Sequence, residues 1–269
     1  MVSKANLFTG ALSLAVAIPS STLAIPAVDC VINPYRETDL SSPVAGVLQD
    51  VLVEKSQQVS SGQIVARLEA SVETAALNLA EVRSALVSDV AEQEVNLEYD
   101  TRRKARIDSL FERQTASREV KDEVEREARL AEVRLQQARD LKRTRELELT
   151  RAQAQLDQKT MRAPFDGIVL QRFKTAGEYV EEQPVMRIAQ LDPLSIEAIV
   201  PIEYYGQIAV GMKAKVHPSA VSAEVRPAEV TVVDRFGNAA SGTFGVRLEL
   251  ANKDYALPAG LRCRLEFVE

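Results

Sequence analysis

Pro43-Val44-Ala45-Gly46-Val47 returns 121 residues later as Pro164-Phe165-Asp166-Gly167-Ile168, and the same offset carries Val59 onto Val180 and Ile64 onto Val185. Self-similarity at a fixed spacing marks two copies of one supersecondary unit. In each copy a glycine, Gly46 or Gly167, opens a short alternating strand. Ser61-Gly62 and Glu182-Gln183 take the matching turns. The two copies read as halves of one β module, and they bracket everything between them.

What they bracket is helical. From Gly62 to Pro164 the chain has neither Gly nor Pro and is rich in Glu, Arg, Ala, Leu and Gln, a composition that helix explains best. Apolar residues recur at three-and-four spacing through Val72, Ala75, Leu79, Val82, Leu86, Val90 and Leu97, then Ile107 and Leu110. The second half repeats the spacing at Val124, Ala128, Ala131, Leu135, Ala138, Leu149, Ala152 and Leu156. These are coiled-coil seams. One helix of this length would reach roughly 150 Å, so the chain is expected to fold back on itself in two arms of about 60 Å each. The period fails across Glu112 to Ala116, and Ser117 is placed to N-cap the returning arm. Polar seam positions at Gln93, Asp100, Lys104 and Lys142 suggest a hairpin that needs neighbours, or register devices, more than a dry core.

After Leu191-Asp192-Pro193 the pattern is plain β: Leu194 to Val200, Lys213 to His217, Ala228 to Asp234, Thr243 to Leu250 and Leu261 to Val268. Gly211, Pro218, Gly237-Asn238, Ser241-Gly242 and Pro258 separate the runs. A small barrel follows, with Glu203 to Ile208 as a short helix and Val28 to Ile32 as an extra strand. Cys30 alternates with Val28 and Ile32, and Cys263 with Leu261 and Leu265, so both sulfurs point into one interior if the terminal strands pair. The two cysteines then form one disulfide or stay as small buried thiols.

Lys4, the apolar run Leu7 to Ile18 and the small-residue site Thr22-Leu23-Ala24 read as a secretory signal over residues 1–24. Asp29 before Cys30 argues against lipid attachment there. No later segment is apolar for long enough to span a bilayer. With 269 residues, 5% aromatics, no Trp and a net charge of −6, the chain suits several small modules better than one large enzyme domain. Its basic residues are interleaved with acidic ones, which disfavours nucleic-acid binding.

Split β module, helical hairpin, then barrel: in this order the chain resembles the periplasmic adaptor (membrane fusion) proteins of tripartite efflux pumps. Thr243-Phe244-Gly245-Val246-Arg247, Asn252-Lys253-Asp254 and Leu257-Pro258-Ala259-Gly260 resemble the barrel signature of that family, with Ala259 a departure from its adjacent Pro-Gly pair. The resemblance implies a mixed α and β, elongated chain. Residues 25–39 would supply a strand to the barrel, 40–71 and 159–191 the halves of a lipoyl-like domain, 72–158 an antiparallel coiled-coil hairpin and 192–269 the barrel. It implies an adaptor between an inner-membrane transporter, of the resistance-nodulation-division (RND) kind in preference to an ABC transporter, and a TolC-like outer-membrane channel. A hexameric ring in the periplasm is expected. At the tip, Arg106, Leu110, Ser117 and Asp122 match the spacing that adaptors of TolC-type channels carry there. Taken singly, Arg106 reads as a solvated cation, Leu110 as a seam residue and Ser117 as a cap. Many RND adaptors have a further membrane-proximal domain. Glu269 follows directly on the last barrel strand, which leaves a compact subgroup, a different transporter or a grip by the barrel alone.

The rival reading is a biotin or lipoate carrier, because lipoyl-like modules can present an acceptor lysine at a tight hairpin. Here Leu68-Glu69-Ala70 continues into Ser71-Val72 and the helix, so no such lysine is presented. Lys55 and Lys174 read as surface charges. No cofactor or catalysis is expected: the single histidine, His217, sits at a strand end, and no triad, phosphate loop or metal-ligand spacing is visible. One His and four scattered Met do not make a soft-metal site.

Overall fold

The computed structural model describes residues 25–219, 224–253 and 255–268. The expected signal segment, residues 1–24, and Asp254 of the barrel signature lie outside them. Among the described residues, twelve strands and three α-helices follow in order: β1 (Val28–Ser41), β2 (Gly46–Val51), β3 (Gln58–Val59), β4 (Ile64–Leu68), α1 (Ser71–Ser84), α2 (Ser88–Glu112), α3 (Arg118–Asp157), β5 (Thr160–Arg162), β6 (Gly167–Arg172), β7 (Tyr179–Val180), β8 (Pro184–Pro201), β9 (Lys213–Pro218), β10 (Arg226–Asn238), β11 (Thr243–Leu250) and β12 (Leu261–Val268). The chain divides into two compact units. One holds residues 34–194 and 252–256, and the other holds the remaining described residues.

In the first unit the repeat has a direct structural counterpart. The 121-residue offset lays β2 on β6 and β3 on β7, and carries β4 onto the stretch 185–189 of β8. The halves exchange strands: Gly46 pairs with Val180 across β2 and β7, and Val59 pairs with Gly167 across β3 and β6. The turns match as well. Ser56 N–H donates to Val169 O at 2.8 Å, and its counterpart Gly177 N–H donates to Leu48 O at 2.7 Å. Both turn residues have positive φ, 68° and 88°. Val65, Leu68, Val169, Val185, Met186 and Ile188 bury their side chains in the shared core.

The helical insert leaves from β4 and returns into β5, which pair antiparallel through Ala66 with Met161 and Arg67 with Thr160. Helix α3 is continuous for 40 residues. The other arm is not, which corrects the expectation of one uninterrupted helix: residues 85–87 separate α1 from α2. The cause is a phase slip. Inward positions on α1 are Glu73, Leu77, Ala80 and Ser84, a track that would continue through 87 or 88 and 91, whereas the track on α2 starts at Val90 and runs through Gln93, Leu97 and Asp100. The interruption absorbs the difference, helped by Ser84, whose hydroxyl turns back to Glu81 O at 2.9 Å.

This also corrects the seam expected on α1. Val72, Leu79, Val82 and Leu86 are exposed, and Leu77 and Ala80 pack instead against Ala152, Leu149 and Leu156. On α3 the expected residues Val124, Ala128, Ala131, Leu135 and Ala152 are buried. No residue of α2 is fully buried. Ion pairs tie the arms instead: Glu73 with Lys159 at 3.0 Å, Asp89 with Arg145 at 2.9 Å, Glu94 with Arg139 at 3.2 Å, and Arg103 with Glu127.

The second unit is a barrel in the strand order β1-β12-β9-β10-β11-β8, and β8 pairs back to β1. Its inward residues alternate as a half-buried strand requires, with Val246, Leu248 and Leu250 on β11 and Cys263 and Leu265 on β12. Cys30 and Cys263 stand opposite each other on β1 and β12, 4.9 Å apart at Cα, and are bonded through their sulfurs. Two boundaries differ from expectation. Strand β8 runs unbroken through Leu191-Asp192-Pro193, where Asn252 meets the polar groups by donating its N–H to Asp192 Oδ1 at 2.9 Å and its side-chain amide to Leu191 O at 3.0 Å. The short helix is a 3-10 turn, Ile202–Tyr204, and Gly206, at φ 89°, follows it closely where a helix over 203–208 would have continued.

Gly167 marks the tightest backbone approach in the first unit, because a Cβ there would stand 2.3 Å from Ala189 O, whereas at Gly46 it would meet the end of the Leu68 side chain at 2.9 Å. Gly167→Ala should therefore destabilise the β module by about 1–3 kcal/mol, as overpacking does, and Gly46→Ala by less. Hydrogen exchange of the β6 and β8 amides would show the difference.

Candidate docking site at the helical tip

The tip is built by two caps back to back. Helix α2 ends with Gln114 in the left-handed region at φ 58°. Gln114 N–H donates to Phe111 O at 2.8 Å, and Thr115 N–H donates to Leu110 O at 2.9 Å. This is the Schellman pattern, formed with Gln where Gly is usual. The Thr115 hydroxyl adds a second bond to Leu110 O at 2.9 Å. Ser117 then opens α3, with extended backbone and a hydroxyl that accepts from Val120 N–H at 3.3 Å, so the cap read from the sequence is present.

The four sequence-predicted tip residues fall on two elements. Arg106 and Leu110 lie one turn apart near the end of α2, Ser117 is the cap, and Asp122 lies early in α3. All four are exposed, Leu110 at 37%. Leu110 is not buried in the seam. Arg106 makes no ion pair or side-chain hydrogen bond among the described residues, so its guanidinium keeps its donors for a partner. Asp122 lines two shallow surface grooves along α3, one with Glu125, Arg129 and Leu130 and the other with Arg103, Arg118 and Val120.

Sequence reasoning missed the clip beneath the tip. Asp108 stands between Lys104 of its own helix and Lys121 of the returning one, 3.4 Å from each ammonium. Partial burial raises the Asp108 carboxyl, but hydrogen bonds from the two lysines outweigh it and hold the group below the usual carboxylate range. Its stabilisation is thus complete above the ordinary carboxylate pKa and is lost as pH falls through the lowered value. Lys121 also lies over the Phe111 ring, 5.0 Å from its centroid. The i,i+4 spacing of Lys104 and Asp108 was legible in the sequence, whereas the contribution of Lys121 depends on the fold-back.

Residues 36–190 match the CzcB-like barrel-sandwich hybrid domain, and residues 194–269 match the CusB-like β-barrel domain. The chain belongs to the membrane fusion, or periplasmic adaptor, family. Three solved structures share the adaptor fold at low identity. MacA from Actinobacillus actinomycetemcomitans is 15% identical with a TM-score of 0.76, over 91% of this chain and 79% of that one. The membrane fusion protein Spr0693 from Streptococcus pneumoniae R6 is 15% identical with a TM-score of 0.64, over 91% and 99%. A MacA-MexA chimera carrying the α-hairpin domain of Pseudomonas aeruginosa MexA is 16% identical with a TM-score of 0.54, over 91% and 80%. No curated protein sequence matches the adaptor. Among its described residues no helix is long and apolar enough to cross a membrane.

The two caps give opposite expectations. Ser117→Ala removes a hydrogen-bonded N-cap and should cost about 1 kcal/mol at the start of α3. Gln114→Gly relieves a left-handed non-glycine residue and should stabilise the tip by up to about 1 kcal/mol. Exchange rates of the amides in the first turn of α3 should rise in the first variant and fall in the second.

Proposed function

We propose that this adaptor links an inner-membrane transporter to a TolC-like outer-membrane channel, and that the channel is docked by Arg106, Leu110, Ser117 and Asp122. The observation that carries the reading is the exposure of Leu110 and Arg106 at a tip whose backbone is already satisfied by its own caps. An apolar side chain and an unpaired guanidinium suit a partner's exposed helix ends and carbonyls. A transporter of the RND kind is favoured, because the barrel matches a model named for RND barrels. The adaptor would act in the periplasm by contact and not by catalysis, with small molecules as the exported cargo.

In this reading residues 1–24 are the export signal, 25–39 and 192–269 the barrel, 40–71 and 159–191 the lipoyl-like module, and 72–158 the hairpin that reaches the channel. Several copies would stand side by side around the conduit, six by family resemblance.

Leu110→Asp should abolish export and channel pull-down at unchanged protein level, since it places an unpaired carboxylate in an apolar contact. Arg106→Ala and Ser117→Ala should weaken both less, because each only removes hydrogen bonds. Lys142→Ala, far from the tip, should leave both intact. Normal export by Leu110→Asp would overturn the docking assignment, and loss of folded protein would return Leu110 to a structural role.

A further inference from the structure

The four docking residues are divided between the arms, with Arg106 and Leu110 near the end of α2, Ser117 capping α3 and Asp122 in its first turns. A partner meets them as one surface only while the last turns of α2 hold a fixed height and rotation against the first turns of α3. Burial does little to fix either. No residue of α2 is fully buried, and Val124 is the first buried residue of α3.

The clip of Asp108 and Lys121 lies at the level that matters. Asp108 is two residues from Arg106 and two from Leu110, and Lys121 is one turn past Ser117 and next to Asp122. Lys121 Nζ stands 3.4 Å from Asp108 Oδ1, and Lys104 Nζ stands 3.4 Å from Oδ2. Each carboxylate oxygen thus faces one ammonium, which holds the group in one orientation. Lys121 makes a second contact with α2 nearer the tip, over the Phe111 ring. Asp108 and Phe111 are three apart on one helix face, so one side chain of α3 grips α2 at two successive levels and resists both sliding and rolling. Among the described residues the next ion pair between the arms is Arg103 with Glu127, farther toward the base. The Asp108 and Lys121 side chains are half-buried between the arms, whereas all four docking residues are exposed.

We infer that Asp108 and Lys121 are positioning residues for the channel contact: they lock α2 to α3 so that the docking side chains of both arms are presented together. The inference rests on the tip docking proposed above. It adds two residues that touch no partner and a division of labour, in which Lys104 orients the carboxylate within its own helix and Lys121 makes the tie across the arms.

Single variants of the full mature chain, matched to it in helicity and thermal midpoint, test this by titration against a TolC-like channel purified in detergent. Asp108→Asn removes the bridging charge and leaves two uncompensated ammonium groups, so affinity for the channel should fall about fivefold, and Asp108→Glu should keep most of it. Lys121→Gln should cost about threefold, and Lys104→Gln, which leaves the cross-arm pair in place, should cost least. Were Asp108→Asn not to fold, the contrast between the two lysine variants would decide. Full binding by Asp108→Asn would overturn the inference, because a lysine freed to meet the channel directly gives that result. Equal losses from Lys104→Gln and Lys121→Gln would overturn it too, since only the net charge of the tip would then count. Leu110→Asp in the same titration separates the two readings: if it alone loses binding, docking stands and the clip falls, and if it binds normally, both fall.

Discussion

The antiparallel pairing of β4 with β5 is the contact on which the helical part depends. Helix α1 starts at Ser71, three residues after β4 ends, and β5 starts at Thr160, three residues after α3 ends. Both arms therefore leave a pair of strands already in register, and Leu68 N–H, bonded to Lys159 O at 2.8 Å, closes the last rung before the helices begin. Lys159 also pairs with Glu73 on the first turns of α1. Because the strands fix the relative height of the arms, every later cross-arm pair inherits it. A core made by two half-motifs can accept a long insert at this point, since strand exchange between the halves already brings residue 68 next to residue 159.

The hairpin is held by unlike means along its length. Near the base, Leu77 and Ala80 meet Ala152, Leu149 and Leu156 in a small apolar cluster. In the middle, α2 offers Gln93, Asp100 and Lys104 inward, and the arms are joined by ion pairs that keep part of their side chains in solvent, Glu94 with Arg139 the most. Pairs of that kind contribute little individually, about 0–1 kcal/mol. Their value is geometric, because opposite charges at fixed levels penalise a slipped register. Small residues on α3, Ala128 and Ala131, allow the arms to approach closely where α2 has nothing large to insert.

The repeat was legible because each copy spends its glycine at the same point. Gly46 and Gly167 both open a strand, and a Cβ at Gly167 would run into the backbone of β8 while one at Gly46 would press on the end of the Leu68 side chain, a need that leaves its mark in sequence. The seam of α3 was legible for a similar reason, since an uninterrupted helix keeps one phase for 40 residues. The seam of α1 was misread: Val72, Leu79, Val82 and Leu86 have seam spacing but face outward, and periodicity says that a face is apolar without saying what covers it. The tip was half legible. Ser117 announced its cap, whereas the left-handed Gln114 carries no signal, since glycine would normally mark that position. Asp108 could be paired with Lys104 from spacing alone, but Lys121 reaches it only because the chain turns back.

The interruption at residues 85–87 gives the two arms different mechanics. Along α3 a pull or push at the tip is carried by an unbroken ladder of backbone hydrogen bonds from Arg118 to Asp157. Along the other arm the same load meets a joint between two rods of 14 and 25 residues. The hairpin is thus a stiff spar braced by a hinged strut. Transverse strain concentrates at the joint, about a third of the way from the base, and displaces the tip sideways while leaving the β4–β5 foundation in place.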